Sequence, residues 1–158
     1  MRFSTSLLVP VFAALALAAP NVRTISQNHG TIVEPTSGLV PTTDGSLPFS
    51  YQDSNWCEGG YTPISVWLLD YAPTTANLNA TGQFTNADYF FGSFLIANFG
   101  LPPLSGSQSP PTSLTLPNLS QYAAGSSLYI AVVETANTCP PGNVPAQYGL
   151  TSTEITTA

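Results

Sequence analysis

Prolines and glycines interrupt this chain so often that a long helix has no room to form. Fifteen Pro and twelve Gly are spread over 158 residues, and no stretch of eleven or more residues keeps a 3.6-residue apolar period. A proline inside a helix removes a hydrogen bond and clashes with the preceding turn. Between the breaks lie short runs of β-branched and aromatic residues, which is how strands read. The runs are residues 31–34, 47–51, 64–71, 89–97, 113–116, 127–135 and 148–156. In the sixth, Leu128, Ile130 and Val132 alternate onto one face. The run 89–97 is apolar on both faces. Turn signals recur at the spacing of two packed sheets, and no helices separate the strands, so parallel crossovers are not expected. The chain is therefore predicted to be all-β: an immunoglobulin/fibronectin-III-like antiparallel β-sandwich of about seven strands. Val66, Leu68, Phe94, Ile96, Leu128, Ile130 and Val132 should form one core, and Trp67, Phe91 and Tyr129 read as core as well.

A chain of this length holds one domain with a real core. Residues 1–18 read as a signal peptide. Arg2 supplies the positive end, residues 7–17 the apolar stretch, and Ala16-Leu17-Ala18 the small-x-small cleavage pattern. The apolar stretch is too short to span a bilayer. Residues 19–30 are polar and read as a flexible lead-in, and 31–158 as the sandwich domain. No hydrophobic tail closes the sequence, so no membrane anchor is expected. Residues 72–87 and the Pro/Ser-rich 100–112 are long connections, and the second cannot sit inside a sheet.

Export gives the two cysteines a meaning. In an oxidising compartment, Cys57 and Cys139 read as a disulfide. With the strands taken in immunoglobulin order, the two fall in the B–C and F–G connections, at one end of the sandwich. Two sequons, Asn79-Ala-Thr81 and Asn118-Leu-Ser120, mark candidate glycosylation sites. Charge excludes other partners. Eight acidic residues stand against two Arg and no Lys, giving a formal net charge of −6. Such a chain has no basic patch for nucleic acid or anionic lipid. It has no lysine for a Schiff base.

Several stretches together resemble a known group. These are Ile32-Val-Glu-Pro-Thr-Ser-Gly38, Pro48-Phe-Ser-Tyr51, Val66-Trp-Leu68, and Leu116-Pro-Asn-Leu119 ahead of Leu128-Tyr-Ile130. With the leader, they look like small secreted fungal proteins similar to the N-terminal immunoglobulin-like domain of the yeast cell-wall β-1,6-glucan assembly family. The resemblance implies an extracellular β-sandwich, often at the cell wall, and no catalytic residues to carry over. The long Ser/Thr-rich tail of many such proteins is not seen here.

Chemistry-bearing residues are sparse. His29 is the one imidazole, with no second histidine for a copper site and no Gly-x-Ser-x-Gly elbow for a triad. Glu34, Asp44, Asp53, Glu58, Asp70, Asp88, Glu134 and Glu154 are scattered, without a glycosidase signature, and read mostly as solvated charges. No catalytic, cofactor or metal site is expected. The stretch best suited to a ligand is residues 53–61, where Asp53, Asn55, Trp56, Glu58 and Tyr61 combine aromatic faces with hydrogen-bonding groups. In the alternative reading, Trp56 caps the core over the disulfide. The expected function is a non-catalytic secreted protein of the fungal surface or cell wall with a structural or interaction role. Its partner would be a wall glycan or another extracellular protein. Two alternatives are a carbohydrate-binding module using the Trp56–Tyr61 loop and a small secreted glycoside hydrolase.

Overall fold

The computed structural model of the chain describes residues 24–41, 45–137, 139–140, 142 and 144–158. The leader expected over 1–18, the lead-in residues 19–23 and Asp44 lie outside the described residues. The fold is all-β, with one 3₁₀ turn at Thr75–Asn77. Among the described residues nine strands appear in chain order: β1 Thr24–Ile25, β2 Thr31–Glu34, β3 Ser46–Pro48, β4 Ser50–Gln52, β5 Tyr61–Leu69, β6 Tyr89–Ala97, β7 Ser113–Thr115, β8 Ser127–Ala136 and β9 Gln147–Thr156. A mixed five-stranded sheet has the order β1-β9-β8-β5-β6. Only β1 runs parallel to its neighbour; the other pairings are antiparallel. Two small antiparallel sheets, β2-β4 and β3-β7, complete the set.

The alternation in β8 decides how these pieces pack. Leu128, Ile130 and Val132 face the small sheets, together with Ile64, Val66 and Leu68 of β5. They meet Leu47, Phe49, Leu114 and Leu116 there, with Phe94 and Ile96 packed alongside. The seven residues expected to form one core, Val66, Leu68, Phe94, Ile96, Leu128, Ile130 and Val132, lie in or against this cluster, as does Phe91, whereas Trp67 and Tyr129 belong to the other face. The opposite face carries Trp67, Leu69, Ala131 and Val133, covered by Leu78 and Phe84 of the 70–88 connection. Burial on both faces explains why the second half of β5 is continuously apolar. Ile130 is fully buried, so Ile130→Ala is expected to remove about 2–5 kcal/mol of stability in urea melts. A loss well below about 1 kcal/mol would place its side chain on the solvent face.

Two departures from the sequence reading have local causes. The expected single strand over 47–51 is divided at Phe49. Its first part pairs with β7 and its second with β2, while the Phe49 side chain stays buried. Proline can donate no ladder bond, and the change of partner follows Pro48. The lead-in expected to be loose is paired from Thr24: β1 lies along Gln147 and Tyr148, and the Ser26 N–H donates to the Tyr148 carbonyl at 2.9 Å. Gly38 and Leu39 bond the other half of β9, so that edge is covered at both ends. Edge strands left open invite pairing with other chains.

The strand directions bring three connections to one end of the five-stranded sheet: residues 53–60 before β5, 98–112 after β6, and 137–146 between β8 and β9. There Cys57 and Cys139 lie at disulfide distance, with Cα atoms 4.4 Å apart. This meets the expectation that the two share one end of the fold.

Candidate functional site

Glu134 organises this end. The period of two that buries Leu128, Ile130 and Val132 carries on to Glu134, so its carboxylate points inward and is 1% exposed. A buried carboxylate is costly unless hydrogen bonds replace its water. Five donors do so. Oε2 accepts from Gly30 N–H at 2.9 Å, Tyr51 O–H at 2.8 Å and Ser54 N–H at 3.2 Å. Oε1 accepts from Ser54 Oγ at 3.0 Å and Asn55 N–H at 3.1 Å. Gly30 has to be glycine: an added Cβ would overlap the Gln52 carbonyl oxygen and the Tyr51 hydroxyl. Burial first, then the Glu134 charge, pushes the Tyr51 phenol well above its ordinary value, so it remains a donor. The reading of Glu134 as one more solvated charge is corrected here. Extending the β8 alternation by one step would have revealed it.

These bonds set the course of the 53–60 loop. Asn55 and Glu58 adopt positive φ, 42° and 51°. Asn55 Oδ1 accepts from Gly59 N–H at 2.8 Å. Thr62 Oγ1 donates to Asp53 and accepts from Asn98 Nδ2 at 2.8 Å. The loop walls a pocket of about 250 Å³ lined by Asn55, Trp56, Tyr61, Leu95 and Leu104, with Glu134 and Thr135 among the others. Trp56 is half-buried, and its indole N–H is sealed from solvent without a hydrogen-bond partner. The Tyr61 hydroxyl donates to the Pro102 carbonyl at 3.0 Å. Neither polar end is thus free to bond a ligand: one is sealed and the other already engaged.

The 98–107 segment adds a feature that the sequence reading missed. Leu101 N–H donates to the Asn98 carbonyl at 2.9 Å, closing a four-residue turn. Both central residues have positive φ, Phe99 at 54° and Gly100 at 71°. Such turns favour Asn-Gly. A phenylalanine held there costs about 1–2 kcal/mol. Phe99 is also 73% exposed, with Leu104 at 51% and Leu101 at 41%. The signal in the sequence was an aromatic directly before a glycine inside a polar, Pro-rich connection.

Of the expected ligand surface, Asn55, Trp56 and Tyr61 line the pocket; Asp53 and Glu58 do not. His29 is exposed, and its Nδ1 bonds the Gly30 carbonyl at 2.8 Å instead of a carboxylate. Among the described residues, no three His, Cys, Asp or Glu side chains gather to hold a metal ion, and no helix is long and apolar enough to cross a membrane. Asn79 is half-buried and Asn118 exposed, each with its side-chain oxygen bonded within its own turn. Compared with protein-family models, curated proteins and solved structures, the chain matches none.

Proposed function

We propose that this chain is a secreted, non-catalytic β-sandwich of immunoglobulin type that works at the fungal surface or cell wall as an interaction domain, through the loop end described above. The observation that carries the reading is Phe99. A bulky apolar side chain in a left-handed turn is unfavourable for the backbone, and its exposure is unfavourable in water. Strain of this kind collects at binding and switch sites. Leu101 and Leu104 extend the apolar surface, and the Trp56–Tyr61 pocket opens beside it. The arrangement of β3-β7 and β2-β4 over the inner face of the five-stranded sheet supports the sandwich reading. The sequence resemblance points to the wall. The fully bonded state of Glu134 argues against its use as an acid or base, because each oxygen already holds at least two donors.

Phe99→Asn tests the reading. Asparagine suits the turn, so this variant should melt at the same temperature or higher, with a gain of about 1 kcal/mol. Binding to isolated insoluble wall glucan or chitin should weaken by at least about 30-fold, the effect of removing a binding hot spot. Equal binding by variant and wild type would remove Phe99 from the interface. A wild-type protein that sediments with neither polymer would remove wall attachment.

A carbohydrate-binding module centred on the Trp56–Tyr61 loop is the second reading, and the pocket lined by both aromatics favours it. The sealed Trp56 N–H and the engaged Tyr61 hydroxyl leave only ring faces to offer a sugar.

A further inference from the structure

The end of the fold opposite the Glu134 cluster holds a second pocket, of about 320 Å³. Its wall includes Leu116, Pro117, Leu119 and Tyr122. Among the described residues, no charged side chain lines it. The Tyr122 hydroxyl donates to Asp88 Oδ1 at 2.7 Å, which pins the ring as a fixed aromatic wall. Leu119 and Tyr122 also lean on the main core. Two of the wall residues are therefore shared with the edge of the core.

Asn118 stands between two of the wall residues, Pro117 and Leu119, and is itself exposed. Its Oδ1 accepts from the Ser120 N–H at 2.9 Å, which orients the amide and leaves Nδ2 as the group available for a link. The other sequon is placed differently. Asn79 Oδ1 accepts from Thr81 N–H, Thr81 Oγ1 and Gln83 N–H at 2.8–3.0 Å, in a tight polar turn. Its apolar neighbours Leu78 and Phe84 are already buried beneath that turn. A sugar on Asn79 would face solvent; one on Asn118 begins at the rim of a cup of mixed lining, beside its apolar wall of Leu116, Pro117, Leu119 and Tyr122.

We propose that Asn118 carries an N-linked glycan whose first sugar lies over this pocket and acts as a covalent lid on that end of the core. The inference rests on the secreted reading, because the donor is a lipid-diphosphate-linked oligosaccharide of the export pathway. In the transfer, Asn118 Nδ2 forms a bond to the anomeric carbon of the first N-acetylglucosamine. The bond from that carbon to the diphosphate oxygen breaks, the lipid diphosphate leaves, and the amide gives up one proton. A neutral pyranose suits the cup. Its apolar face covers Leu119 and the Tyr122 ring, as a ring with one apolar and one wet side does, and its hydroxyls stay in water.

The full chain, secreted from a eukaryotic host, is compared with Asn118→Gln, Ser120→Ala, Ser120→Thr and Asn79→Gln by peptide mass and thermal melting. Asn118 should carry sugar in the wild type and in Ser120→Thr. Asn118→Gln and Ser120→Ala should melt lower by about 3–5 °C, the shift a modest surface contribution gives in a domain of this size. Ser120→Thr should melt with the wild type; Asn79→Gln, which also disturbs the three hydrogen bonds to its Oδ1, is read by peptide mass alone and should leave the Asn118 glycan in place. Trimming the wild-type glycan enzymatically to its first sugar should leave the melting temperature unchanged. Sugar on Asn79 with Asn118 bare would overturn the proposal while leaving export intact. So would a glycan on Asn118 whose removal shifts nothing, or whose effect vanishes on trimming. Exported protein with sugar on neither residue would overturn the proposal alone; a chain that the host does not export would overturn the secreted reading.

Discussion

Replacing Glu134 with alanine should remove about 3–5 kcal/mol of stability, a large part of the roughly 5–15 kcal/mol that holds a domain of this kind. The reason is the fate of its partners. Gly30, Ser54 and Asn55 would each lose the acceptor for a backbone N–H, and the Tyr51 and Ser54 hydroxyls would lose theirs. A buried donor without a partner costs about 1–3 kcal/mol. The five losses will not add, because water enters the vacated space and serves some of them. Glu134→Gln should cost less, since one oxygen remains to accept while the new NH₂ meets donors. Urea denaturation monitored by tryptophan fluorescence reads both variants. A change below about 1 kcal/mol for alanine would mean that the carboxylate is solvated in the native protein. The 53–60 loop should also loosen, seen as faster amide exchange at Ser54 and Asn55, while Leu128 and Ile130 stay protected.

Breaking the Cys57–Cys139 link is the second large effect. The two cysteines are 82 residues apart in sequence. Joining them removes entropy from the unfolded chain worth about 4–5 kcal/mol on the chain-entropy account. The double substitution of both cysteines by alanine should therefore lower the melting temperature by about 10–20 °C. Calorimetry of the double variant beside the oxidised wild type is the direct measurement. Alkylation of the unfolded, unreduced protein should label neither cysteine before reduction and both after it. Labelling of both without reductant would mean that the pair is open in the native protein.

The strand set was legible because a period of two is a local property. Alternation at 127–135 and the apolar runs at 64–71 and 89–97 state which side chains must leave water, and Leu128, Ile130 and Val132 lie where that rule puts them. Cysteine number and strand order together placed the Cys57–Cys139 pair at one end. Three features escaped. Thr24 and Ile25 are β-branched, but two such residues in a polar stretch are too short to read as a strand; the neighbouring backbone of β9 supplies the pairing. The run 47–51 changes partner at Phe49, which local pattern cannot show. Phe99 sits at positive φ because the turn between Asn98 and Leu101 requires it, against the preference of its own side chain.

What the sequence by itself determined, then, is the all-β class, four of the five strands of the main sheet (β5, β6, β8 and β9) and the inward residues of β5, β6 and β8, since each follows from hydrophobic spacing within a few residues. What only the tertiary structure decided is the loop end around Glu134. The donors that make a buried Glu134 tolerable come from residues 79 to 104 positions away, and the pocket wall joins the 53–61 loop to Leu95, Leu104 and Thr135. Burial of a charge depends on partners gathered by the whole fold, and no window along the chain contains them.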